Sequence, residues 1–252
     1  MAFGTDRNTP EQYVPGAVRA EAAVYDLGLR AYMLRVYNFM ASGLALTGIV
    51  ALVVVSNESL LRLFFEVGPR GGISPSILGW VAMIAPIGLV WAMSARIESM
   101  RASTAQALFW GYAGLMGISM CTIFVAYTGT SIARVFFITA GTFAAMSLYG
   151  YTTKRDLTGW GSFLFMGLIG ILIASVVNIF LASSMMHFII SVAGVLVFVG
   201  LTAYDTQKIK EMYNERDDSE VASKKAIMGA LELYMDFINL FIMLMRLFGD
   251  RR

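Results

Sequence analysis

Seven apolar runs, each about as long as a bilayer is thick, divide this 252-residue chain. A run of about twenty apolar residues is long enough to cross the hydrocarbon core as a helix. Within lipid the backbone N–H and C=O groups of such a segment must bond to one another, which a helix allows. The runs fall near residues 36–56, 77–95, 105–127, 132–151, 160–182, 186–205 and 227–248. The expected fold is therefore an all-α integral membrane protein with seven transmembrane helices. Composition agrees, with 58% hydrophobic and only 14% charged residues, far from the soluble average.

The connections carry the charge and the turn chemistry. They are the stretch from Glu58 to Pro75, then RIESMR, TGT, KRD and SSMMH, and the long polar KIKEMYNERDDSEVASKK, which is expected to extend the sixth helix before turning. Within the first of them, SLLRLFFEV reads as a short helix lying at the membrane interface. Pro86 falls inside the second helix, where it is expected to kink the chain and free a carbonyl that another group must satisfy. Gly111, Gly114 and Gly117 in the third helix, and Gly194 and Gly200 in the sixth, read as close helix packing. Asn178 and Asn38 read as interhelical hydrogen-bonding groups.

Residues 1–30 form a polar tail ahead of a membrane domain spanning residues 31–249, and the tail lacks the pattern of a cleaved signal peptide. With the N-terminus inside, the inner loops hold Arg96, Arg101, Lys154, Arg155, Lys208, Lys210, Arg216, Lys224 and Lys225. The outer loops then hold only Arg62, Arg70 and Arg134, so the positive-inside bias favours a cytoplasmic N-terminus. Arg246, Arg251 and Arg252 count against it without overturning it.

Several classes are excluded. One cysteine, Cys121, and one histidine, His187, build neither a disulfide framework nor a metal cluster. The +2 net charge gives no reason to expect a nucleic-acid partner. The last helix has no lysine between Ala226 and Arg246 for a retinal Schiff base. An intramembrane aspartyl protease would need Gly-x-Gly-Asp, yet Asp236 follows Leu233, Tyr234 and Met235. No other catalytic signature appears, so the chain is read as a non-enzyme without a cofactor.

The informative residues are two aspartates. Asp205 ends the sixth run and Asp236 lies inside the seventh. A carboxylate at the centre of a membrane helix costs roughly 2.5–3.5 kcal/mol, so it is normally turned towards protein or a water-filled path. On the last helix Glu232, Asp236, Asn239, Met243 and Arg246 share a sector of about 80°. Its eleven Leu, Ile and Phe residues contribute roughly −3 to −7 kcal/mol to insertion, and Asp236 cancels about 3 of that. Such a helix is expected to sit centrally, with Glu232 and Arg246 snorkelling to the two interfaces. Asp236 lies about nine residues, or roughly 14 Å, beyond the boundary near residue 227. The two aspartates therefore meet only if the sixth helix runs deeper than residue 205 or the seventh begins above the interface. Together in a low dielectric they cannot both ionise easily and tend to share a proton. A shared proton makes a pH sensor, and two charged carboxylates make a cation site.

The strings TAYDTQKIK and LELYMDFINLFIMLMRLFG, with KRDLTGWGSFLFMGLIG and VVNIFL upstream, resemble the bacterial branch of the transmembrane Bax inhibitor motif family. The resemblance runs from about residue 32 to residue 249. It implies two layers of three helices wrapped around a central seventh. It also implies a proton-sensitive calcium leak channel of the bacterial inner membrane, with Asp205 and Asp236 as the sensor pair. In a bacterial relative an arginine at the cytoplasmic end of the second helix pairs with the sixth-helix aspartate, and Arg96 or Arg101 would take that part here. Asn239, Glu232 and Arg246 are further candidates for the latch or pathway. Calcium or another cation would then be the permeant ion and the bilayer the constant partner. Other bacterial members are associated with a membrane-anchored ATP-dependent protease, so regulation of such a partner is the competing reading.

Overall fold

The computed structural model describes residues 15–67 and 73–252. Its elements are α1 (Pro15–Ser56), α2 (Glu58–Phe64), β1 (Phe65–Val67), β2 (Ile73–Pro75), α3 (Ile77–Arg96), α4 (Ala102–Ala126), α5 (Gly129–Thr152), α6 (Thr158–Leu181), α7 (Ser184–Glu211) and α8 (Ser219–Phe248). Seven of these helices are long and apolar enough to span a membrane, and the chain is an all-α membrane protein. The short α2 falls within the segment read as an interfacial helix, and an antiparallel β1–β2 pair follows it.

Helix boundaries depart from the hydropathy runs at the polar ends. α1 starts at Pro15, so half of the tail expected over residues 1–30 is helical, and the remainder of that tail lies outside the described residues. α7 continues to Glu211 and α8 begins at Ser219, eight residues before the apolar run. Hydropathy detects where a helix leaves lipid, whereas capping decides where it ends. Here Asp218 accepts the Val221 amide at 2.7 Å and starts α8 in a polar setting.

α8 is the core of the bundle. Of its apolar span 72% is buried, against 17–33% for the other six. α1 and α4 pack on one side of it and α5 and α7 on the other, with α3 laid outside α4 and α6 outside α7. This is the expected arrangement of two three-helix layers around the last helix. Hydroxyls lock the layers to the centre. Thr47 Oγ1 donates towards Gly43 O and Ala113 O, both at 2.9 Å. The buried Tyr234 hydroxyl on α8 must therefore donate to Thr47, at 2.6 Å, tying three helices at one point. In the second layer Thr206 donates to Thr202 O at 2.7 Å, so Ser147 donates to Thr206 at 3.0 Å and Tyr37 to Ser147 at 2.6 Å.

The glycines divide by what they face. A side chain at Gly150 would run into the Ala203 backbone, where α5 crosses α7. Gly117 lies against Thr47 and Val50 of α1, and Gly200 against Leu164 of α6. Gly111 and Gly114 meet nothing within 4 Å, so their expected packing role is corrected: they fall on the open face of α4. Backbone cannot yield as a side-chain tip can, so Gly150→Ala is expected to cost about 1–3 kcal/mol, read as a lower unfolding temperature in detergent, while Gly111→Ala leaves it unchanged.

The carbonyl that Pro86 frees is that of Ala82, and Ser119 Oγ on α4 donates to it at 3.2 Å. Ser119→Ala is expected to destabilise the protein by about 1 kcal/mol, an effect that a Pro86→Ala background should remove because Ala82 O regains its helical donor. Asn178 does not bridge neighbouring helices through mid-span bonds as expected. It is buried and closes the α6–α7 turn, its Oδ1 accepting the Ser183 amide at 3.1 Å beside the left-handed Ala182 (φ 47°). Asn38 is exposed on α1.

Candidate functional site

The two aspartates meet because α7 and α8 both extend past the apolar runs. α8 runs antiparallel along α7, with Gly229 against Ile209, Glu232 beside Lys208 and Gly194 against Met243. In that register Asp205 comes level with Asp236, which lies seventeen residues into α8 rather than nine. Both side chains face one cleft, where two carboxylates in a low dielectric do not both ionise easily and tend to share a proton.

The pair opens into a cleft of about 470 Å³ between α6 and α8, floored by α7. Asp236 is buried, at 5% exposure, and its Oδ2 has no hydrogen-bond donor among the described residues. Asp205 is half-buried at the rim of the same cleft. Lys208 Nζ stands there too, 2.9 Å from Glu232 Oε1, while Glu232 Oε2 is buried without a partner. Asn239 lines the cleft one turn beyond Asp236. Tyr204 closes the α6 side, its ring seated on Gly161 so closely that a β-carbon there would collide with it.

Of the residues singled out from the sequence, Asp205, Asp236, Glu232 and Asn239 are brought together. Glu232, expected to snorkel to an interface, lines the cleft and pairs with Lys208. Arg96 does not line the cleft. It is exposed at the end of α3, which packs on α4, and its carbonyl accepts the amides of Ser99 and Met100 at 3.0 Å. Arg101 precedes α4, also exposed. The cation beside the aspartates is Lys208, counted from the sequence only among the inner-loop basic residues. The continuing polar helix after Asp205 was the signal for it.

Arg246 lies at the opposite end of α8, in a second cavity of about 390 Å³ with His187, Ser191 and Arg251. The two cavities share one stripe of α7, with His187 and Ser191 at one end and Phe198, Leu201, Asp205 and Lys208 at the other. On α8 they share the polar stripe that ends in Arg246. Between them, on both helices, stand Gly194 and Met243. Met243 is buried, and a β-carbon at Gly194 would lie 2.8 Å from its Sδ.

The loops at the Lys208 end are fastened together. Gln207 accepts the Leu157 amide and donates to Arg155 O, both at 2.8 Å. Lys210 donates to Tyr151 O at 2.9 Å, and Lys224 to Glu98 O at 3.0 Å. Glu220 receives the Ala102 amide at the start of α4. Among the described residues no group of three or more His, Cys, Asp or Glu side chains converges as a metal site.

Six spanning helices around a buried seventh, with two aspartates facing one cleft, define a polytopic membrane protein with a candidate acidic site. Comparison with known proteins then places it. The chain belongs to the Bax inhibitor family: the model for the inhibitor of apoptosis-promoting Bax1 matches residues 29–252. It is 51% identical over 228 residues to the uncharacterized protein RP147 of Rickettsia prowazekii, covering 90% of this chain and 93% of that one. It is 47% identical over 227 residues to the inner membrane protein YbhL of Escherichia coli, covering 89% and 94%. An uncharacterized protein of Caulobacter vibrioides is 44% identical over 239 residues, covering 94% of each.

Proposed function

We propose that this protein is a passive, non-catalytic cation pathway of a bacterial inner membrane, with calcium as the permeant ion, gated by proton sharing between Asp205 and Asp236. The observation that carries this reading is the meeting of the two carboxyl groups inside spanning helices, at a cleft into which Asp236 presents an oxygen without a donor. Hard cations seek oxygen ligands, and Asp205, Asp236, Glu232 and the Asn239 amide supply them along one side of the cleft. Conduction requires binding weak enough to release, which suits oxygens spread along an open cleft. With the N-terminus cytoplasmic, as the lysine and arginine bias indicates, the cleft opens towards the cytoplasm and Arg246 faces out. Lys208 and Glu232 form the charged pair at the inner mouth, 2.9 Å apart. Met243 on Gly194 is the apolar closure between the two cavities, of the kind that gates by excluding water.

The test is calcium entry into proteoliposomes of the purified full chain across roughly pH 6–8. Entry above that of empty liposomes, varying with pH, supports the pathway. Entry no faster than in empty liposomes at every pH would overturn it in favour of a role in regulating a membrane partner, such as an anchored protease.

A further inference from the structure

We propose that the cavity at the Arg246 end is a binding site for a phosphate-class anion, supplied either by the headgroup of an anionic lipid or by free phosphate. The cavity, about 390 Å³, lies between the first turns of α7 and the last turn of α8 and is lined by Arg246, Arg251, His187, Ser184, Ser191 and Tyr127. Its charge is uncompensated. Asp250 is taken by Arg134 at 2.9 Å and Glu58 by Arg62 at 2.5 Å. Among the described residues neither Arg246 nor Arg251 has an acidic partner.

Arg246 and Arg251 are both exposed at this cavity, and two like charges side by side favour an anion between them. The backbone that carries Arg251 is fixed. Residues 249–252 form a strap across the α4–α5 turn: the Thr128 amide donates to Asp250 O at 3.0 Å, the Arg252 amide to Ala126 O at 3.0 Å, and the Asp250 amide to Ser131 Oγ at 2.8 Å. Arg134 adds a bond to Phe248 O at 2.9 Å. Tyr127 and Arg251 face each other across an isolated β-bridge, and the guanidinium lies 6.0 Å from the Tyr127 ring centre. With its backbone already fixed, Arg251 has only side-chain freedom to lose on meeting a ligand.

The donor set selects the ligand class. Guanidinium groups present planar forks that match pairs of phosphate oxygens. The Ser184 and Ser191 hydroxyls and the His187 imidazole add further donors on one side. The positive end of the 28-residue α7 opens beside the same cavity and favours an anion there. A cation has no acidic ligand in this cavity, and a purely apolar ligand would leave both arginines without a partner.

The experiment uses the full purified chain in detergent. Affinity for phosphatidylglycerol and phosphatidylcholine is measured by native mass spectrometry, and inorganic phosphate is tested by thermal shift against chloride at equal ionic strength. The variants are Arg246→Gln/Arg251→Gln, the single Arg251→Gln in case the double change does not fold, and Arg62→Gln, which removes one charge outside the cavity. The native chain is expected to hold phosphatidylglycerol or inorganic phosphate about tenfold or more tightly than the double variant, with Arg62→Gln close to native. Selectivity for phosphatidylglycerol alone assigns the site to a lipid headgroup, and stabilisation by inorganic phosphate alone assigns it to a soluble anion. Equal behaviour of native and cavity variants towards both probes overturns the site, as does an equal loss in Arg62→Gln. No readout depends on ion flux, so the result is independent of the calcium pathway.

Discussion

Replacing Asp236 by leucine is expected to abolish pH-dependent calcium entry while raising the protein's resistance to unfolding. The reason lies in the opposed demands of function and stability on one carboxyl group. Asp236 is buried in the central helix, and its Oδ2 has no donor among the described residues. A buried polar atom without a partner costs about 1–3 kcal/mol, and an apolar residue of similar volume avoids that cost. Asp236→Leu should therefore gain about 1–3 kcal/mol, seen as a higher unfolding temperature in detergent. Asp236→Asn keeps the shape but not the shared proton, so it should flatten the pH response without the gain in stability. Asp205→Asn should flatten it likewise, with a smaller structural effect because Asp205 sits half-buried at the rim. Were Asp236 merely a packing device, leucine would lower stability and leave flux unaltered. That result would remove the central premise of the proposed pathway.

Shortening Met243 to alanine is expected to accelerate calcium entry about tenfold, the factor given by a barrier lower by 1.4 kcal/mol. Met243 occupies the stretch of α8 between the two cavities and is seated on Gly194 of α7. Its unbranched side chain can swing without a backbone shift, which suits a closure that must open reversibly. Met243→Ala leaves a gap that connects the cavities and admits water, and the aspartate pair is untouched, so the pH dependence should persist at the higher rate. Gly194→Ala disturbs the same closure from the α7 side. Its β-carbon would stand 2.8 Å from Met243 Sδ and force that side chain to move or the helices to part. Entry in Met243→Ala that stays at the native rate would show that the ion passes elsewhere. Entry that rises equally in the Asp236→Leu background would separate the closure from the sensor.

Much of this protein was legible before its structure. Runs of apolar residues located the spanning helices, since lipid permits few alternatives for such segments. The polar stripe on the last helix announced its central position, because a stripe holding Asp236, Asn239 and Glu232 is costly against lipid. What local pattern did not reveal was polar helix continuing beyond the membrane. The boundaries at residues 205 and 227 reflected hydropathy, whereas α7 runs to Glu211 and α8 starts at Ser219. The α7–α8 register, which pairs Glu232 with Lys208, set Glu232 in the acidic cleft. It also put Lys208, rather than Arg96, beside the aspartates.

The sequence by itself determined the membrane class, the number of spans, the burial of the last helix and the choice of Asp205 and Asp236 as candidate site residues, because each follows from the cost of placing particular groups in hydrocarbon. Only the tertiary structure decided which groups share a cavity, that Met243 rests on Gly194, and that Arg246 joins Arg251 under a strap built from residues 249–252. Those relations depend on the register between helices distant in sequence. The register is set by backbone contacts such as Gly150 against Ala203 and by side-chain bonds such as Thr47 to Tyr234. Neither leaves a periodic trace along the chain.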